Sequence, residues 1–186
     1  MNPVEDLRRA IQGRGLTVVL PESDDERVLR ATAELTQAGL ARVVLLGDRD
    51  AVAARAEALG LPLPKISIRD PASDPELPAL AAQCAAARDS LTPAMAERLL
   101  HKPLYFGGML VASGAAQALV AGAANPTRRI IEAGLMTVGL APGITLPSSY
   151  FLMLVPCTEG PRAFIFADCA VNAEPTAAEL ADSTGP

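Results

Sequence analysis

An α/β fold with a mostly parallel sheet and flanking helices is what three features of this 186-residue chain predict. Short β-branched and aliphatic runs alternate with longer segments whose apolar residues recur at helical spacing, and such alternation builds parallel sheets. Half of the residues are hydrophobic, while 3% are aromatic and none is Trp. The interior is therefore built from Ala, Leu, Val and Ile, as in sheets buried on both faces. Glycines punctuate the ends of the helical segments, as at Gly39, Gly60 and Gly114.

The first strand is Thr17 to Leu20, ended by Pro21. Glu22-Ser23-Asp24-Asp25-Glu26 then opens a helix, with Ser23 as the candidate cap and Glu26 three residues on. Val28, Leu29, Ala31, Thr32, Leu35 and Ala38 carry the helical period up to Gly39. Arg42 to Leu46 is the second strand, followed by a helix from about Asp50 to Leu59. Lys65 to Ile68 is the third. A Pro- and Asp-rich loop from Asp70 to Pro78 leads into an Ala-rich helix through Arg88. Thr92 caps a helix with Pro93 in its first turn, and Leu104 to Ala112 is helical up to Ser113-Gly114. Ala118 to Ala121 is a buried strand whose carboxyl end, Gly122 to Thr127, runs into Arg128-Arg129 and a helix to about Thr137. Ligands of open α/β sheets bind at such strand ends.

Beyond Pro142-Gly143 the texture changes. Tyr150 to Val155 and Ala163 to Ala167 read as a hairpin, and Pro175-Thr176 starts a further helix. The expected division is a first α/β domain over 1–141 and the beginning of a second α/β domain over 142–186.

The net charge is −5 and the basic residues are scattered, which gives no footprint for nucleic acid. A few arginines focused in a cleft still suffice to bind an anion. Cys84, Cys157 and Cys169 have no metal-like spacing and are odd in number, which fits a reducing compartment. No segment reaches the ~18 apolar residues of a membrane span. The expectation is a cytoplasmic protein with no bound cofactor and no metal. The Asp24-Asp25-Glu26 run is read as helix capping, because carboxylates are favoured at a helix start. Gly13-Arg14-Gly15 precedes a strand and is no dinucleotide fingerprint. His101 is a helix-end residue, and Cys169 beside Asp168 lacks a paired base for a nucleophile.

Ordered blocks carry a resemblance. Val19-Leu20-Pro21-Glu22 with Asp25-Glu26-Arg27, then Tyr105 to Val111, Leu119 to Ala123, Ser148 to Met153, Phe166-Ala167-Asp168-Cys169-Ala170-Val171-Asn172 and Pro175-Thr176 together resemble the N-terminal portion of the phosphotransacetylase and phosphotransbutyrylase family. The resemblance implies a fold like that of isocitrate and isopropylmalate dehydrogenases. It also implies reversible transfer of an acetyl group between phosphate and coenzyme A by direct thiol attack, with coenzyme A as substrate and not as a bound cofactor. Family members run to nearly twice this length, and the family's proposed aspartate base matches no residue here. Two further readings follow: a truncated or split member that binds phosphate or acyl phosphate without turnover, and a relative acting on butyryl groups. Either a homodimer or a complementing C-terminal half is the expected partner.

Two family arginines hold the phosphate and acyl oxygens. Arg88 matches the first, and the second falls at Arg128 or Arg129, with Arg129 preferred for its deeper place in the helix. Arginine forks and helix-start amides stabilise a departing phosphate. Thr127 offers a hydroxyl beside them. Ser148 and Ser149 are candidates for binding substrate oxygens. The competing readings are a cation complementing a helix end for Arg88, a solvated helix face for one of the arginine pair, and loop residues satisfying backbone groups for the serines.

Overall fold

The structure is a computed structural model that describes residues 3–63, 66–158, 160–167, 171–172 and 174–179. In chain order the elements are α1 (Pro3–Ile11), β1 (Thr17–Leu20), α2 (Glu26–Gln37), β2 (Arg42–Leu46), α3 (Arg49–Ala58), β3 (Ser67–Arg69), α4 (Leu77–Ala86), α5 (Pro93–Leu100), α6 (Pro103–Ala112), β4 (Ala118–Leu119), α7 (Thr127–Thr137), β5 (Tyr150–Val155) and β6 (Arg162–Ala167). They fall into two units, Ile11–Gly139 and Met1–Ala10 with Leu140–Pro186.

The larger unit carries a four-stranded parallel sheet in the order β3-β2-β1-β4. Alternate residues of a strand face opposite sides, and both sides of this sheet are covered. Val19 and Leu46 point into a cluster built from α4, α5, α6 and α7, whose fully buried members include Ala96, Leu100 and Phe106. Leu20, Val43 and Leu45 point the other way, against Leu29 of α2 and Val52 of α3. The α/β architecture with a parallel sheet and flanking helices is thus present.

Seven residues of α6 are buried, and two glycines set how closely this helix packs. A Cβ at Gly107 would come within 2.6 Å of Leu119 Cδ1 on β4, and one at Gly108 would overlap the Thr137 hydroxyl on α7. The Gly-Gly pair therefore seats α6 between the sheet and α7, and α7 carries the candidate arginines.

The helix starts include one correction. Ser23 is not the cap of α2: the N-cap is Asp25, whose carboxylate accepts from the Arg27 amide at 2.8 Å. Ser23 is buried, and its hydroxyl donates to the Leu46 carbonyl at 2.7 Å, tying the end of β1 to the end of β2. The neighbouring carboxylates form ion pairs, Asp24 with Arg55 and Glu26 with Arg30. Thr92 does cap α5, accepting from the Met95 amide. The third strand lies at Ser67–Arg69, later than expected, and Lys65 is outside the described residues. Helix α4 ends at Ala86, before Arg88, and α1 has no counterpart in the periodicity reading.

In the smaller unit β5 and β6 pair antiparallel, from Tyr150 opposite Ala167 to Val155 opposite Arg162. All twelve residues of the two strands are exposed. Thr176 and Glu179 form a reciprocal capping box, with the Glu179 carboxylate accepting from the Thr176 amide at 2.7 Å, which is the helix start expected at Pro175-Thr176.

Candidate functional site

The site forms where β1 and β4 end side by side. Past β1 the chain turns at Pro21 and buries Glu22, which is 6% exposed. Past β4 it turns at Gly122, whose φ of 119° suits a residue without Cβ. The backbone amides of Gly122 and Ala123 donate to one Glu22 carboxylate oxygen at 2.8 and 2.9 Å. Those of Ala124 and Asn125 donate to the other at 3.0 and 2.7 Å, and the Asn125 side-chain amide adds a fifth bond at 2.9 Å. Burial raises the Glu22 pKa, but the bonds from Asn125, Ala123, Ala124 and Gly122 outweigh it and hold the carboxyl below its usual range.

A second clamp acts on the same loop from outside. Arg27 donates to both oxygens of Asp25, at 2.9 and 2.7 Å, and to the carbonyl of Ala123. Its guanidinium holds the Asp25 carboxyl at a pKa of about 2, against a slight upward push from burial. The loop 122–125 is thereby fixed through its amides and one carbonyl. It hands the chain to Pro126, the N-cap of α7 in extended conformation (φ −68°, ψ 147°).

Between these elements and the start of α6 lies a cleft of about 500 Å³. Its cations are Lys102 and Arg129; its carboxylates are Glu22, Asp24 and Glu132. Two of the carboxylates have partners outside the cleft's cations: Glu22 the loop amides and Asp24 the guanidinium of Arg55 at 2.7 Å. Burial pushes the Tyr105 hydroxyl pKa up, the Glu132 charge and hydrogen bond push it further, and Arg129 draws it back. Lys102 Nζ stands 5.6 Å from the centre of the Tyr105 ring, within range of a cation–π contact. Among the described residues no ion pair or hydrogen bond engages the guanidinium of Arg129. The carboxylates keep their charge, and Lys102 and Arg129 are the cationic side chains through which the cleft can take an anion.

The sequence candidates are spread more widely than this cleft. Arg129 lines it. Arg128 and Thr127 open α7 as exposed residues and are not among its lining. Arg88 sits past the end of α4 and donates to the Leu135 carbonyl on α7 at 2.6 Å and to Ala87 at 3.2 Å. Ser148 and Ser149 belong to the smaller unit, just before β5. Asp168 and Cys169 lie outside the described residues. Sequence reasoning missed Glu22, Lys102, Tyr105, Asn125 and Glu132 as site residues. The one available signal was Glu22 itself, an acidic residue directly after a strand and ahead of the capping run.

His101 Nδ1 meets the Pro71 carbonyl at 3.1 Å, and Cys84 is buried, with burial pushing its thiol pKa up and Arg88 opposing this. Among the described residues no group of three or more His, Cys, Asp or Glu side chains is placed to hold a metal ion, and no helix is long and apolar enough to cross a membrane.

Comparison with known proteins locates this architecture. The family model described as phosphate acetyl/butaryl transferase matches residues 4–185. The phosphate acetyltransferase of Clostridium acetobutylicum is 32% identical over 186 residues, covering 98% of this chain and 56% of that protein. That of Corynebacterium glutamicum is 37% identical over 167 residues, covering 89% and 50%. Among solved structures, EutD phosphotransacetylase from Staphylococcus aureus superposes with a TM-score of 0.86 at 31% identity, over 96% of this chain and 53% of the other. A phosphotransacetylase from Streptococcus pyogenes gives the same TM-score at 32% identity. The chain spans about half the length of these relatives. The chain therefore belongs to the phosphate acetyl/butaryl transferase family.

Proposed function

We propose that this chain supplies the phosphate side of an acyltransferase that moves an acetyl group between phosphate and coenzyme A. The observation that carries the reading is the presence of Arg129 and Lys102 in one cleft beside the fixed loop 122–125. In the reaction the thiolate of coenzyme A attacks the carbonyl carbon of acetyl phosphate, and a carbon–sulfur bond forms. The carbon–oxygen bond to phosphate breaks, its electron pair leaves with the phosphate, and the thiol proton passes to solvent or to that phosphate. Negative charge on the leaving oxygens grows as the bond breaks, so cations fixed beforehand stabilise the transition state more than the ground state.

Arg129 takes the phosphate oxygens in this reading, with Lys102 as a second point charge. The first turn of α7, including the Thr127 hydroxyl and Arg128, contributes the positive end of the helix. Arg88 enters as the residue that holds α7, and through it Arg129, by its bond to Leu135. Ser148 and Ser149 are proposed to bind substrate oxygens, and the working assembly is proposed to be a homodimer or a complex with a polypeptide matching the relatives' remaining half.

Thioester formation from acetyl phosphate and coenzyme A tests this, with the chain alone and mixed with the remaining half of a relative. The reading expects acetyl-coenzyme A formation that requires acetyl phosphate, releases phosphate and is reversed by added phosphate, in at least the mixture. Folded protein that gives no thioester in either arrangement contradicts it.

A further inference from the structure

Glu22 has no part in the acyl chemistry just described, yet it is the most heavily hydrogen-bonded carboxylate among the described residues. It lies three residues ahead of the N-cap of α2 and bonds nothing on that helix. Its five donors all lie on the loop 122–125, which follows β4, the strand beside β1. Four successive backbone amides converging on one point form an anion-binding nest, the device that many α/β folds use for phosphate. Here the nest is filled by the protein's own carboxylate. The loop it immobilises runs through Asn125 and Pro126 into the first turn of α7, and Arg129 follows Asn125 by about one helical turn.

Resting on the phosphate reading above, we infer that Glu22 is a positioning residue for phosphate. Its carboxylate occupies the amide nest at 122–125, fixes the start of α7 so that Arg129 faces the cleft, and leaves the side-chain cations as the place where phosphate binds. Arg27 secures the same loop through the Ala123 carbonyl and is itself held by Asp25. The arrangement has a chemical logic. A nest left open would compete with Arg129 for the anion and hold it away from the cleft, whereas a buried carboxylate satisfies the amides permanently.

The test is a double-mutant cycle on the 15N-labelled chain, using Glu22→Gln, Arg129→Ala and the double variant, with inorganic phosphate as the probe. Glutamine keeps the shape but presents an amide N–H₂ to backbone donors, so the loop loses part of its anchor. Glu22→Gln is expected to weaken phosphate binding about 10-fold, because Arg129 loses the placement that gives its charge-assisted contact, and this outweighs the smaller opposite effect of removing a negative charge from the cleft. Nearly the whole effect should vanish in the Arg129→Ala background. The amide signals of Gly122 to Asn125 and the Nε signal of Arg129 should shift together in Glu22→Gln. A folded Glu22→Gln protein that binds phosphate like the wild type, or whose loss adds in full to that of Arg129→Ala, overturns the inference.

Should Glu22→Gln not fold, Glu22→Asp carries the same cycle, with a loss of about 3-fold expected because the charge is kept and one methylene is removed. If Arg129→Ala leaves phosphate binding unchanged, it is the phosphate reading that fails. The positioning claim is then decided by the Arg129 Nε signal alone, which moves in Glu22→Gln if the claim holds and stays put if it does not.

Discussion

Gly108 on α6 and Thr137 on the last turn of α7 stand so close that no side chain fits between them; a Cβ on the glycine would overlap the threonine hydroxyl. That hydroxyl is itself held by the Ala133 carbonyl at 2.6 Å and is buried, so it has little room to yield. Replacing Gly108 by Ala should therefore separate α6 from α7 and destabilise the larger unit by about 1–3 kcal/mol, the usual cost of overpacking. Urea denaturation followed by circular dichroism checks this. Unchanged stability would mean that the two helices are not in close contact.

Arg69 donates to both oxygens of Asp74, at 2.7 and 2.6 Å, and lies 5.1 Å from the ring centre of the buried Phe106. Its guanidinium holds the Asp74 carboxyl below the usual carboxylate range, against the upward push of burial. A depressed folded-state pKa contributes stability that is fully present above the unfolded value, near ~3.9, and is lost as pH falls through the folded one. Asp74→Asn should thus cost about 1–2 kcal/mol at neutral pH. The gap from the wild type should close in acid, below about pH 4. Denaturation curves across the acid range provide the measurement, and a gap independent of pH would contradict the pairing.

Arg88 and Arg129 are separated by role in this account, and variants can tell the roles apart. Arg88→Ala removes a cation and a hydrogen bond from the C-terminal turn of α7, a loss of about 1 kcal/mol in stability. Phosphate affinity should stay within about 5-fold of the wild type, because the contact is indirect. If Arg88→Ala abolishes phosphate binding as completely as Arg129→Ala does, Arg88 touches the phosphate directly, as the family resemblance first implied.

Much of this fold was legible in the sequence. Val18 to Leu20 and Arg42 to Leu46 show their apolar runs directly, and Gly39, Gly60 and Thr92 mark helix ends by conformational rules that act within a few residues. The site was less legible because its organising contacts are long-range. Glu22 finds its partners about 100 residues away, and those partners are backbone amides, which carry no side-chain signature. The acidic run after it drew a helix-start interpretation that holds for Asp25, the cap, and for Glu26 in the first turn, while Asp24 pairs with Arg55. Arg129 was reachable because an arginine in the first turn of a helix after a strand end is a local pattern. Lys102 and Glu132 were not, because only the packing of α6 on α7 through Gly108 brings them to one cleft.

Calorimetric titration of inorganic phosphate into the wild-type chain, Arg129→Ala and Glu132→Gln shows whether the cleft beside Glu22 binds phosphate through Arg129. The wild type should bind, and Arg129→Ala should lose about 10-fold or more with the fold intact. Binding should tighten modestly, by about 1 kcal/mol or less, when the Glu132 charge is removed. Phosphate binding that is indifferent to both substitutions, or absent from the folded wild type, would contradict this role of the cleft and of Arg129.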